Sequence, residues 1–305
     1  MKNNTIIVIL FVIIIGLGAY FLFNNSNTNV PKVQDTTTTT TTTQTTGQTT
    51  NTTVTAVDTT QSVIGKSVEG RNIIAYHFGT GDRELLLVGG IHGGYSWNTA
   101  LLAYETMNYL KANPSVIPAN MKVTIIPVLN PDGLYKVIGK EGPFTAADVS
   151  SSQAVQIAGR LNANKVDLSR NFDCNWQTSA KWQNTTESGG STVFSEPESL
   201  AIKNYVETQK PQGVLVWYSS AGGVYASNCG SGVLPQTKTI TDLFAKASGY
   251  PAYDTFDAYA TTGDIVNWLA KIKIPAISVL LTNHTGTELT KNQSGIVSLL
   301  QYFSK

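Results

Sequence analysis

Three histidines occur in the 305-residue chain, and His92 has the setting best suited to chemistry. The stretch VGGIHGGYSW, residues 88–97, reads as the end of a buried strand, a double glycine and then the imidazole, with a helical pattern beyond. A strand end that presents a histidine in this way can supply a metal ligand. A second ligand three residues on would complete a metal-binding pair, and that residue is Tyr95. One neutral imidazole is a poor zinc site, since stable sites bring three or four donors together. His77 lies in the apolar stretch 73–78 and reads as structural. His284, beyond the last apolar strand, could join His92 only in a rebuilt site that lacks a third candidate. Ser219 and Ser220 are adjacent, but neither a GxSxG elbow nor a paired base marks a nucleophile there.

The elements that must position these residues are legible as runs and periods. Residues 84–90 (ELLLVGG), 123–129 (VTIIPVL), 213–218 (GVLVWY) and 276–281 (AISVLL) are short apolar runs without alternation. Such runs predict strands buried on both faces. Residues 98–111 carry apolar side chains at helical spacing, with Asn98 or Thr99 as the expected cap. Further helices are predicted over 198–209, introduced by Pro197, over 240–248 and over 293–303. Strands alternating with helices predict an α/β domain, whose sites lie at the carboxyl ends of strands. His92, Asn130 and Ser219 each fall just after a predicted strand.

The formal net charge is +1, without a basic run, which argues against nucleic acid as a partner. The N-terminus predicts the compartment. Residues 5–23 form nineteen uncharged, mostly apolar residues, long enough to cross a bilayer as a helix. Large residues at the end of this run (Tyr20 to Phe23) favour an uncleaved anchor over a cleavable signal peptide. Lys2 places residues 1–4 in the cytoplasm and the rest outside. Residues 24–60, rich in Thr and Asn with eight consecutive threonines at 36–43, predict a disordered linker. The folded domain is expected over 61–305, where Cys174 and Cys229 either pair or stay as two buried thiols.

Seven segments of this domain together resemble the M14 zinc carboxypeptidases. They are IGKSVEGRNI (64–73), GGIHGGY (89–95), PVLNPDGLY (127–135), GRLNANKVDLSRNFDCNW (159–176), FSEPES (194–199), YSSAGGVY (218–225) and YATTGDIVNWL (259–269). The resemblance implies a mixed, mostly parallel eight-stranded sheet with helices on both faces. It implies a zinc held by a His, a Glu three residues later and a distant His, with a separate Glu as general base. Carried over, the first ligand is His92, but the other two fall on Tyr95 and Ser219, and the base on Leu280. Leucine has no lone pair and removes the base. The first Asn of the NRN triplet becomes Ser169, while the substrate-binding positions Arg160, Arg170, Asn171 and Tyr259 survive. The arginines could grip a peptide carboxylate or only brace loops through Asp167 or Asp173, and Tyr259 could be plain packing.

Three functions follow from this resemblance. The first is a membrane-anchored, extracytoplasmic, inactive carboxypeptidase-like domain that binds peptide C-termini without zinc. The second is an active zinc carboxypeptidase acting on peptides or cell-wall peptides. The third is a structural surface domain.

Overall fold

The computed structural model describes residues 60–305. The predicted membrane anchor at 5–23, the cytoplasmic end at 1–4 and the linker up to residue 59 lie outside the described residues. Among the described residues no helix is long and apolar enough to cross a membrane.

The elements follow in the order β1 (Gln61–Lys66), β2 (Asn72–Phe78), β3 (Arg83–Val88), α1 (Trp97–Ala112), β4 (Met121–Ile126), α2 (Pro131–Ile138) and α3 (Gln153–Ala158). A hairpin of β5 (Ser179–Trp182) and β6 (Thr185–Ser188) precedes α4 (Pro197–Gln209). Then come β7 (Gly213–Ser219), β8 (Gly223–Ala226), α5 (Pro235–Ser248), β9 (Ala252–Tyr253), α6 (Ile265–Lys271), β10 (Ala276–Leu281) and α7 (Leu289–Phe303). Eight strands form one sheet in the order β1-β2-β4-β3-β7-β10-β8-β9. Its centre, β4-β3-β7-β10, is parallel, whereas β1–β2, β2–β4 and β10–β8 pair antiparallel.

The unbroken apolar runs are buried on both faces because the pleat sends alternate side chains to opposite sides. Leu85 and Leu87 pack with Leu102, Phe244 and Leu299, from α1, α5 and α7. Leu86 and Val88 join a second core with Ile202, Val206, Ile265 and Leu269, from α4 and α6.

The helix starts differ from the sequence expectation. Neither Asn98 nor Thr99 caps α1, which begins at Trp97 after Ser96. Both are fully buried and their polar groups are used elsewhere. Asn98 Nδ2 donates to the carbonyls of Asn283 (2.8 Å) and Gly286 (2.9 Å). Thr99 Oγ1 donates to Ser96 O and accepts from Gly90 N. Helices α5 and α7 begin at Pro235 and Leu289, upstream of the expected 240 and 293. Proline at the first helical turn explains the former, since its missing N–H has no helical partner there. The cysteines are paired: Cys174 and Cys229 form a disulfide with Cα atoms 5.9 Å apart.

Candidate functional site

A cavity of about 790 Å³ opens at the carboxyl ends of the central strands. Its wall brings together His92, Tyr95, Arg160, Arg170, Ser219, Tyr259, Leu280 and His284. This is where an open α/β sheet places its ligands.

His92 follows β3 after Gly89 and Gly90, and the glycines behind it are steric necessities. A Cβ on Gly94 would collide with the Val137 side chain, and one on Gly133 with the Gly159 carbonyl. These close approaches press the His92 turn against α2 and against the turn that carries Arg160. Asn130 caps α2 through Gly133 N (2.8 Å) and donates Nδ2 to Arg160 O (3.2 Å). Asp132, in the same NPDG stretch, accepts from Ser67 Oγ (2.6 Å) and Arg71 (2.7 Å) and ties the 64–73 segment to the site.

The His92 ring is 6% exposed. Its Nε2 lies 2.9 Å from Ser169 Oγ and 3.4 Å from Asp167 Oδ1. Ser169 Oγ in turn donates its single proton to Asp167 Oδ1 at 2.8 Å. The Nε2–Ser169 hydrogen bond therefore needs its proton on Nε2, which leaves Nδ1 as a bare acceptor. Nδ1 is buried and has no partner. Burial, reinforced by the nearby Arg160 charge and opposed by Asp167, pushes the His92 pKa down to about 4. Burial alone would raise the Asp167 carboxyl, but Arg160 and His92 together hold it well below its ordinary value.

Arg160 and Arg170 are each 2% exposed. Arg160 Nη2 donates to Asp167 Oδ2 at 2.6 Å, and its guanidinium lies 4.2 Å from the Trp182 ring centre. Arg170 differs. Its Nη2 donates to the Lys181 carbonyl at 3.2 Å, and its guanidinium lies 5.5 Å from the centre of the half-buried Tyr259 ring. Asp173, a possible brace for it, pairs instead with Lys271 at 2.8 Å. Arg170 forms no ion pair among the described residues, and the Nε atoms of both arginines are buried without partners.

The structure does not bring Asn171 to this wall. It is fully buried, and its amide is fully occupied beneath the cavity. Nδ2 donates to Gly189 O (2.6 Å) and Thr192 O (3.0 Å), while Oδ1 accepts from Glu196 N (3.1 Å) and Ser199 Oγ (2.5 Å). Asn171 knits loops together and has no group left for a ligand.

The positions that would complete a zinc site are otherwise engaged. The Tyr95 ring lies 4.6 Å from the His284 ring and 5.0 Å from the Trp182 ring, and burial raises its phenol pKa. Leu280 is 8% exposed and belongs to the second core. Ser219 Oγ lies 3.0 Å from His284 Nδ1, a pairing that a sequence separation of 65 concealed. It is not a nucleophile–base pair. Asn98 Nδ2 is pinned on two carbonyls, so Asn98 Oδ1 faces Ser219 and takes its proton at 3.1 Å. His284 Nδ1 then donates to Ser219 Oγ, the reverse of activation. Among the described residues no three His, Cys, Asp or Glu side chains converge as a metal set. Two imidazoles, His92 and His284, with a neutral phenol, an engaged hydroxyl and a leucine, do not supply the three converging donors that zinc needs.

Trp182 and Asp264 line the wall, and Asp167 lies buried behind it; sequence patterns flagged none of the three as ligand-facing. Asp264 is buried, caps α6 through Val266 N (3.0 Å) and accepts from Tyr218 OH (3.0 Å), and burial raises its carboxyl pKa.

With this geometry in place, comparison with known proteins is informative. The Peptidase_M14 family model, zinc carboxypeptidase, matches residues 48–290. The carboxypeptidase N catalytic chain of Rattus norvegicus is 29% identical over 199 residues, covering 59% of this chain and 40% of that protein. The chain spans still less of the carboxypeptidase Z of the same organism, 17% of its length. Among solved structures, bovine thrombin-activatable fibrinolysis inhibitor superposes with a TM-score of 0.63 at 15% identity, covering 80% of this chain and 88% of that one. Murein-tripeptide amidase MpaA from Escherichia coli O157 gives 0.55 at 19% identity, over 79% and 91%. At such identities the superpositions speak for the fold.

Proposed function

The chain belongs to the zinc carboxypeptidase family, and on that premise we propose that it is a non-hydrolytic member that binds the C-terminal ends of peptides. Arg170 is the observation that carries the reading. A buried guanidinium on a cavity wall, with no direct ion pair to a carboxylate among the described residues, can receive one from outside. Arg160, already neutralised by Asp167, supplies further donors beside it. Bound zinc would supply a polarised carbonyl and an activated water, but the donors around His92 do not suit it and Leu280 offers no base.

The domain acts outside the cytoplasm on this proposal, held by the apolar run at 5–23. The Cys174–Cys229 disulfide supports an oxidising compartment. An active zinc carboxypeptidase is the competing reading, and the His92–Asp167 pair favours it, since metal-bound histidines usually carry such a carboxylate partner. Two of the similar proteins, the murein-tripeptide amidase and the gamma-D-glutamyl-L-diamino acid endopeptidase 1 of Lysinibacillus sphaericus, make cell-wall peptides the first ligands to try.

Two measurements test the proposal. Calorimetry with a peptide acid and its C-terminal amide should show the amide binding at least about tenfold more weakly, the worth of a charge-assisted pair. Zinc analysis after equilibration should find no stoichiometric metal. One tightly held zinc per chain, lost on His92→Ala, would restore the hydrolase, and equal binding of acid and amide would remove the carboxylate grip.

A further inference from the structure

We infer that His92 is a ligand-binding residue in its own right, its Nδ1 accepting a hydrogen bond from the N–H of the occupant's terminal peptide bond. The inference rests on the reading of the cavity as a site for peptide C-termini and names the second point of contact.

Two observations converge on it. The proton inventory around Asp167 leaves His92 as the Nε2–H tautomer, so Nδ1 offers a lone pair and no proton. That lone pair is buried and unpartnered in a ring that lines the cavity. A buried acceptor left unmade is unfavourable, and such groups are nearly always satisfied by protein, water or ligand. No side chain of the wall bonds to it: Leu280 has no donor, the Ser219 hydroxyl proton goes to Asn98, and the Tyr95, Arg160 and Arg170 donors do not reach it in hydrogen-bond geometry.

The position of His92 selects which donor on the peptide is met. Arg160 Nη2 and His92 Nε2 approach the two oxygens of one carboxylate, at 2.6 Å from Asp167 Oδ2 and 3.4 Å from Oδ1. Guanidinium and imidazole are therefore neighbours across the width of a carboxylate. A peptide whose terminal carboxylate is gripped by the arginines has its last N–H on the same residue, two covalent bonds from the carboxyl carbon. The next N–H upstream lies about 3.8 Å further along the chain. The last N–H is thus the donor that the arginine grip brings to His92.

Depsipeptides test this without altering the protein. The probes are acetyl-Gly-Gly-Leu, the same molecule with its last amide replaced by an ester, the same with the preceding amide replaced instead, and the C-terminal amide. An ester oxygen removes the donor and sets a lone pair against Nδ1. The last-bond ester should bind about five- to tenfold more weakly than the parent, and the upstream ester should bind like the parent. In His92→Phe the last-bond ester and parent should bind alike. Equal affinity of both esters and parent for the wild-type protein would overturn the role of His92, while a weak C-terminal amide would leave the carboxylate grip standing. Equal weakening by the two esters would also overturn it. A C-terminal amide that binds as well as the acid would instead remove the parent reading, and this inference with it.

Discussion

Acidification should destabilise the fold through His92 well above the pH at which carboxylates protonate. The imidazole is fully enclosed, and burial and the Arg160 charge lower its pKa from 6.5 to about 4. In the unfolded chain the ring takes up a proton below pH 6.5; in the folded chain it does so only near 4. Between those values the unfolded state binds the extra proton, so stability is complete above 6.5 and falls as pH drops toward 4. At about 1.36 kcal/mol per unit the interval is worth about 3 kcal/mol. Other groups act in the same window. Burial also lowers the pKa of the half-buried His77 and His284, with the same sign. Burial raises the carboxyl pKa of Asp264, Glu198 and Glu187, which gives the opposite slope. Asp167, held well below 3.8, keeps its contribution until the pH falls below this range. The comparison with His92→Gln isolates the histidine. Urea unfolding from pH 7 to 4.5 should show a steeper loss in the wild type, by about one to two kcal/mol over the pH 6–4.5 span. Parallel curves for the two proteins would refute the enclosed, neutral imidazole, and with it the tautomer assigned to Nδ1.

Two further outcomes follow from the architecture. Replacing both Cys174 and Cys229 by Ala opens a loop of 55 residues, which by chain entropy should cost about 4 kcal/mol in denaturant unfolding; an unchanged midpoint would show that the 172–174 and 227–229 segments are fixed by packing alone. Gly133→Ala should lower stability by about 1–3 kcal/mol and weaken peptide-acid binding as well, because the new Cβ meets the carbonyl of Gly159, next to Arg160; a variant with wild-type melting temperature and affinity would contradict the tight α2–Arg160 contact.

The fold was legible where the physics is local. The run 276–281 appears as β10 at those bounds, since six consecutive buried residues allow few alternatives. The outer strands β1, β2, β8 and β9 escaped notice: β8 and β9 are very short, and β1 and β2 mix buried with exposed or half-buried positions, so they carry little of the unbroken apolar signal. Within the site, arginines and histidine were found because rare residue types recurred in an ordered set of motifs. Asn171 misled for the same reason: the last two residues of the triplet survive, but whether an amide faces a cavity or a loop depends on the 189–199 backbone it bonds. The Ser219–His284 contact and the pinning of Asn98 had no local signature, because they join side chains far apart in the chain.

Charge explains why the altered positions cohere. The resemblance implies carboxylates at the positions of Tyr95 and Leu280, a neutral imidazole at Ser219 and a dication at the centre. Exchanging both carboxylates for uncharged side chains removes two negative charges, and omitting the ion removes two positive ones, so the balance of the cavity is unchanged. A single exchange would leave a charge uncompensated in a region where Arg160 and Arg170 are already 2% exposed, and buried unpaired charge is strongly unfavourable. What remains is Arg160 paired with Asp167, and Arg170 without a direct ion pair and only within electrostatic reach of Asp264, so Arg170 is the guanidinium left to meet a terminal carboxylate. The same balance argues against a divalent ion at His92 Nδ1: with no carboxylate replacing either lost one, it would add two positive charges beside two guanidinium groups. The arrangement favours a monoanion with a hydrogen-bond donor close behind it, which is the chemical description of a peptide's C-terminal residue.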